Sequence, residues 1–522
     1  MGKWSGKKVG FILCAALLAF IVGCQSVGGL NLNEVILKQI DVTQQEQSQL
    51  LELEIDFNEQ LLSEEEPELA QMIEAFKKFS LNIKHSKLDD KGNMWLTGEF
   101  SFERGEIPFT LHSDSKVLRF DLGGSSRPFI IEMDSSMGTS LNQLLPGFDM
   151  FMGSDSQQVM MDSVRKLVRN VASYFVNGLP NPPAISVSRV TGPINGVATT
   201  LNKVHAELNG EQLGELISVY LDNLVKDKEG FETMLRNFAQ WAQELPPEMK
   251  EVLEGSEIFG EGFPVETFVE KGVAEFFPML EEAQKELEAA REKKEWKEVF
   301  DKGITMTADV YVDDSLHLRK SSLEMKIAPA VFEQPDSPVR SITIRSSGEM
   351  WNVNGEVVVP AVEIPRDALT VEQLENMKPF QIVRLFDKDS VIYDILKNDL
   401  KADDQSFELS TEWGVSFYLD TNGDAFVPLR STMTNFDVQT NYDLGTKVIY
   451  FYDEATAQTI QFRLGSNKAH VNGHEVTLDH KVQSDGHFVY ASADDLFGLL
   501  RATYEITEYE DGESVMEVAR DL

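Results

Sequence analysis

The chain has 522 residues but only two cysteines, Cys14 and Cys24, both near its N-terminus. Nothing beyond residue 24 can form a disulfide within the chain, so the fold must rest on packed apolar cores. The segment holding the cysteines has its own pattern. Lys3, Lys7 and Lys8 precede an almost unbroken apolar run from Val9 to Val22, and Gly23 follows. A positive start, a short apolar run and a small-residue cleavage site describe a secretory signal. The run is too short and wrongly flanked for a good membrane span. An uncleaved anchor or an ordinary secretory signal would share these features.

Ile21-Val22-Gly23-Cys24 adds something more specific. It resembles the lipobox of bacterial lipoprotein precursors. That resemblance implies removal of residues 1–23 and diacylation of Cys24 as the new N-terminus. The expected location is the extracytoplasmic face of the cell membrane, held by lipid. Cys14 would leave with the signal. No second run is long and apolar enough to span a bilayer.

Composition narrows the partners. The formal charge of the whole chain is −39, and it becomes −42 once the three signal lysines are removed. Nucleic acid needs a basic footprint and is excluded as an expected partner. Electrostatic adsorption to anionic lipid is disfavoured too, so membrane attachment would rest on the acyl chains. The acidity makes a soluble surface, or one that takes cations or basic partners.

Residues 24–33 read as an acylated cysteine and a polar tether. Residues 34–403 read as one α+β region of unknown function. Pro67 marks a helix start, with Leu69, Met72, Ile73 and Phe76 at helical spacing. Strand signals cover Trp95–Phe102, Ile107–Leu111, Val117–Leu122 and Phe129–Met133. Helical signals dominate from about 156 to 300. One stripe runs from Met160 to Phe175 and is closed by Gly178 and Pro180; a second runs from Leu213 to Leu224. A third, from Phe231 to Trp241, stops at Pro246-Pro247, and Met279–Phe300 reads as a charged helix. Alternation returns at Met306–Val312 and Leu323–Ile327, with further strands expected at Val339–Ile344 and Val353–Val359. The tetrapeptides Gly92-Asn93-Met94-Trp95 and Gly348-Glu349-Met350-Trp351 hint at an internal duplication. Thr370-Val371-Glu372-Gln373 has the form of a capping box, and Phe380–Leu400 is expected to be helical.

The expected fold class is therefore α+β: a large N-terminal curved antiparallel sheet with helices packed on its concave face, then a small antiparallel β domain with short helices. The outline of the first part resembles the bacterial lipoprotein carrier folds, in which helices cap a half-open barrel.

The composition shifts after Asp403-Asp404. Asn422-Gly423 and Asn472-Gly473 lie between strand-like runs, the strongest short hairpin signal. Phe426-Val427-Pro428-Leu429-Arg430 follows the first. Further on come Leu464-Gly465-Ser466, Ala469-His470-Val471-Asn472-Gly473 and Gly486-His487-Phe488-Val489-Tyr490-Ala491. This order over residues 407–522 resembles the copper amine oxidase N-terminal-like domain, or stalk domain, with its two YVPLR-like strand-to-helix elements. The second element departs from the pattern, with Tyr490-Ala491-Ser492 where Pro-Leu-Arg is expected. The resemblance implies a small antiparallel sheet wrapped around a helix, and an accessory rather than catalytic domain.

Asn441-Tyr442-Asp443 is superficially like the sequence from which those oxidases build their quinone. Leu444 replaces the final tyrosine, and no His-x-His pair exists to hold copper. His470, His474, His480 and His487 are half of all eight histidines. A two-residue turn at Asn472-Gly473 would put His470 and His474 on opposite faces, so they read as surface histidines rather than a metal pair. Asp420 to Asp424 lacks the later ligands of a calcium loop and reads as a turn. No Walker A, GxSxG, HExxH or CxxC motif is present. No catalytic, cofactor or metal residue is assigned.

The leading expectation is a non-catalytic, lipid-anchored binding or scaffold protein of the bacterial cell envelope. Its partners would be the membrane, through the N-terminal lipid, and a cell-wall polymer or envelope protein. The alternative is a carrier of lipid or another apolar ligand in the N-terminal region, and an enzyme with an unrecognised site is the third possibility.

Overall fold

Met306, Ala308, Val310 and Val312 alternate with polar neighbours because they belong to an inner strand of a twelve-stranded sheet. The computed structural model describes residues 26–58, 77–114, 116–132, 157–245, 264–333, 337–411, 416–509 and 513–522. The signal segment, Cys24 and the expected helix at Pro67–Phe76 lie outside the described residues. Two compact units divide the chain, Met1–Gln373 and Leu374–Leu522. The division falls upstream of the composition shift at Asp403-Asp404.

In the first unit, α1 (Leu32–Ile40) precedes six strands: β1 (Gln45–Phe57), β2 (Lys78–Leu88), β3 (Met94–Phe102), β4 (Gly105–Ser113), β5 (Val117–Leu122) and β6 (Phe129–Glu132). Helix α2 (Gln157–Asn177) leads to the hairpin β7 (Ala184–Ile194) and β8 (Val197–Asn209). Helices α3 (Gly210–Lys226), α4 (Lys228–Glu244), α5 (Val265–Arg291) and α6 (Lys294–Val299) follow. Strands β9 (Ile304–Val312), β10 (Leu318–Ile327), β11 (Val339–Trp351) and the short β12 (Leu369–Thr370) complete the unit. The sheet order is β12-β6-β5-β4-β3-β2-β1-β11-β10-β9-β8-β7, antiparallel except for β12 on β6. Two meanders are thus joined by β1 against β11.

Register makes one face continuously apolar. Leu208, Met306, Met325, Ile344, Leu53, Phe79 and Phe102 stand directly opposite one another across seven neighbouring strands. Directly paired residues share a face. Leu213 of α3 and Trp296 of α6 pack on this face with Met306, Met325 and Ile344. Leu32 and Val35 of α1 pack on its far end against Val204 and Val312. A second helical layer joins α2 to α5 around Tyr174, Leu224, Phe231 and Phe277. The sheet curls at the β7–β8 end. The backbone N–H of Asn195 at the hairpin tip donates to Glu349 of β11 at 3.1 Å, although β8, β9 and β10 separate the two strands in the sheet.

Several expectations need correction. The stretch read as a tether is packed from Val27 onward, with Leu30 and Leu32 in the core. The region read as helical from 156 to 300 contains the β7–β8 hairpin, whose Ile185 and Val187 alternate with serines. The charged helix begins at Val265 rather than Met279, and Pro278 lies inside it. Proline removes one backbone donor there, and its neighbour Phe277 is packed in the helical core. Strands β1 and β2 were not expected at all. Val353–Val359 is not a strand: it opens as a turn, with Asn352 and Asn354 at positive φ and the Gly355 N–H on the Asn352 carbonyl, and the rest runs without a ladder towards Pro360 and Pro365. The two Met-Trp tetrapeptides are not equivalent, since one opens β3 and the other closes β11.

The second unit begins with short helical turns at Pro379–Val383, Val391–Asp394 and Ile395–Asp399, not one helix over Phe380–Leu400. The polar run Asp387-Lys388-Asp389-Ser390 interrupts it, and Ser390 caps the next turn through the Tyr393 N–H. Strand β13 (Gln405–Ser410) pairs with the last strand. The β14 (Tyr418–Leu419) and β15 (Ala425–Pro428) pair leads into α7 (Leu429–Asn435). A five-stranded sheet comprises β16 (Asn441–Asp443), β17 (Val448–Asp453), β18 (Gln458–Arg463), β19 (Lys468–Val471) and β20 (His474–Thr477). Then come β21 (Gln483–Ser484), β22 (Val489–Ser492), α8 (Ala493–Leu500), β23 (Thr503–Glu508) and β24 (Ser514–Arg520). The two strand-to-helix elements, β15–α7 and β22–α8, pair antiparallel with Val427 opposite Ala491. Their helices share one core with Phe451 and Phe462. The fold is α+β: a large, curled, essentially antiparallel sheet with helices, and a small antiparallel β region.

Candidate functional site

The apolar face of the large sheet carries a run of phenylalanines where β2 to β5 meet. Phe79 lies 5.5 Å from Phe102 and 6.2 Å from Phe100. Phe100 stacks on Phe109 at 4.5 Å, and Phe109 reaches Phe120 at 5.9 Å. Gly98 makes room for this stack. A Cβ there would stand 2.9 Å from the Phe109 ring and 2.5 Å from the Asn82 carbonyl oxygen. Phe109 is buried, while Phe79, Phe100, Phe102 and Phe120 keep part of their surface. Such a strip can take an acyl chain or a flat apolar ring. Sequence reading located β3 to β5 but not β2, so it could not place these rings together.

The opposite face is polar. His85 lies between two tryptophans, 5.7 Å from Trp95 and 5.5 Å from Trp351, and its Nε2 is 2.7 Å from Glu46. Further along, His205 Nδ1 is 2.7 Å from Asp309, and Lys203 is 2.9 Å from the same carboxylate. The hydrogen bond to Asp309 raises the His205 pKa against a smaller effect of burial. Burial pushes Asp309 up, but Lys203 and His205 together bring it below its usual value. The extended segment after β11 is bound by basic side chains. His112 Nε2 meets the Pro360 carbonyl at 2.6 Å, Arg119 donates to Glu363 O at 2.7 Å, and Arg127 donates to Asp367 O at 2.5 Å.

The C-terminal candidates separate. Val471 pairs with His474 and His470 with Glu475, so His470 and His474 face opposite ways. The turn between them has Asn472 at φ 52° and Gly473 at φ 83°, as a type I′ hairpin requires. His480 sits elsewhere, 3.2 Å from Asp424 and edge-on to Phe426, and the His487 N–H donates to Asp485 in a turn. Asp420 accepts from the N–H groups of Asn422 and Asp424, which closes a loop between Leu419 and Ala425. That loop is longer than the two-residue turn Asn422-Gly423 suggests, and only Gly423 has positive φ. Asp443 ends β16 and accepts from Gly445 and Thr446 N–H, so Asn441-Tyr442-Asp443 is a strand end.

Asp403, Asp404 and Asp521 bring carboxylate oxygens within 4.8 Å of one another. Lys397 bridges Asp521 and Asp403, the latter at 3.2 Å, so the cluster carries its own cation. Burial and the neighbouring Asp521 raise the Asp404 pKa, while Lys397 lowers that of Asp521.

Residues 391–509 match the family described as copper amine oxidase N-terminal domain. The matched stretch contains both strand-to-helix elements and the five-stranded sheet, and the second unit therefore carries this domain. The match begins upstream of the expected residue 407 and includes the turns at Val391–Asp394 and Ile395–Asp399 but not the one at Pro379–Val383. No curated protein matches the chain. Among the described residues, no helix is long and apolar enough to cross a membrane.

Proposed function

We propose that the chain is a non-catalytic, lipid-anchored binding or scaffold protein of the bacterial cell envelope, held at the extracytoplasmic face of the membrane through Cys24. One observation supports this reading: a match to the copper amine oxidase N-terminal domain at residues 391–509, in a chain that also carries the lipobox-like Ile21-Val22-Gly23-Cys24. The domain would contact envelope polymers or proteins, and the acyl group would supply the attachment that a strongly acidic surface does not. In its native host, Cys24→Ala should leave an unprocessed or unacylated precursor. Normal processing and undiminished membrane retention of that variant would overturn the anchor.

A second reading is favoured by the phenylalanine strip of the first unit. A half-buried row of aromatic rings on a continuous apolar sheet face suits an acyl chain or similar apolar ligand. Native mass spectrometry of protein from its own envelope separates the two. A co-purifying apolar mass, lost on replacing Phe100 and Phe102, supports a carrier, and a bare mass supports the scaffold.

A further inference from the structure

The five-stranded sheet of the second unit buries one face and leaves the other bare. Ile449, Phe451, Ile460, Phe462 and Ala469 point inward into the core. On the outer face, Asn441 pairs with Tyr450, Tyr450 with Gln461, Gln461 with His470, and His470 with Glu475. These five exposed residues make one straight row across all five strands. At about 4.8 Å between strands the row is roughly 19 Å long. Tyr452 lies on the same face two residues from Tyr450. The two tyrosines are 57% and 43% exposed, a large aromatic area to leave in water. Among the described residues, no side chain hydrogen-bonds the side chains of Tyr450, Tyr452 or Gln461.

The charge on this face is unlike the rest of the chain. Its charged side chains are Asp443, Arg463, Lys468 and Glu475, two of each sign. Lys468 and Glu475 pair at 2.6 Å. A face with no net charge, in a chain of −39, suits an uncharged ligand. The row offers phenol rings, an amide and an imidazole at the strand period. A protein interface would centre on a desolvated apolar patch, and Val448 is the one aliphatic side chain here.

We propose that the outer face of β16–β20 binds an extended, uncharged glycan strand. One sugar ring stacks on Tyr450, with Tyr452 flanking it two residues along β17; both rings are apolar on the face and polar at the tip. Hydroxyl or acetamido groups bond to Asn441, Gln461 and His470, and successive sugars follow successive strands. A cell-wall origin for that glycan rests on the envelope reading above, but affinity in vitro does not.

The test is calorimetric titration of the full chain, in detergent, with chitohexaose and with cellohexaose. Binding of at least one is expected, and Tyr450→Ala with Tyr452→Ala should weaken it by about tenfold or more, with an unchanged melting temperature. Gln461→Ala, a smaller change at an exposed site, should weaken it as well. No binding of either oligosaccharide, or equal binding by the tyrosine variant, would overturn the proposal. So would sedimentation with bacterial sacculi that disappears once the sacculi are stripped of protein, since the partner would then be a protein. Loss of the Cys24 anchor with glycan binding intact would count against the envelope reading alone.

Discussion

Arg520 and Asp453 form a two-pronged ion pair with almost no solvent access. The guanidinium donates to the two carboxylate oxygens at 2.8 and 3.2 Å, and the side chains are 0% and 1% exposed. The guanidinium also lies 4.2 Å over the Phe436 ring and donates to Gln405. The pair ties β24 to the end of β17. Removing one partner leaves a buried charge without compensation. Arg520→Ala or Asp453→Ala should therefore destabilise the second unit by about 3–5 kcal/mol, and chemical denaturation would show this as an earlier transition. Replacing both with apolar residues of similar size should cost less than either single change. A double variant as unstable as the sum of the singles would contradict that.

The phenylalanine strip makes a separate prediction for the first unit. Phe109 is buried between Phe100 and Phe120, so Phe109→Ala should cost about 3–5 kcal/mol. Gly98→Val should also destabilise, because its side chain would meet the Asn82 carbonyl and the Phe109 ring. Thermal melts of the two variants would check both. An unchanged melting temperature for either would mean that the ring packing described is wrong.

The Asn472-Gly473 turn tests backbone geometry rather than packing. Gly473 has φ 83° and a Cβ there would meet nothing, so any penalty is conformational. Gly473→Ala should cost about 1 kcal/mol. Denaturant titration would read this as a lower midpoint with unchanged slope.

His205 gives a dependence on pH. Its pKa is raised in the folded chain by Asp309 and Glu207. The stabilisation is then fully present below the unfolded value near 6.5 and is lost as pH rises through the higher folded value. The side chain is 36% exposed, so the effect is modest. NMR titration of the His205 ring should give a pKa above the unfolded value, and Asp309→Asn should move it down. A ring that titrates at or below the unfolded value would contradict the contact.

How much of this was legible depended on whether a pattern was local. Met306 to Val312 and Val117 to Leu122 alternate strictly, and both are strands. The turn at Asn472-Gly473 fixed the register of His470 and His474, so their opposite faces followed from sequence. The β7–β8 hairpin was lost among flanking helical stripes. Val353–Val359 has strand-like composition, yet its Asn354 and Val357 N–H groups donate to Gln44, and the chain after it, at Pro360, Glu363 and Asp367, is held by His112, Arg119 and Arg127; no local pattern reveals these distant partners. The phenylalanine strip and the row from Asn441 to Glu475 failed to appear for the same reason. Each residue is ordinary by itself, and only the strand order lines them up.

The central claim is a chain held in the envelope by lipid at Cys24, and the mass of its N-terminal peptide tests it most directly. Protein extracted from its native membrane should yield a peptide that starts at Cys24 and carries the added mass of a diacylglyceryl group. A peptide that begins at Met1, or one cleaved without any acyl mass, would contradict the account.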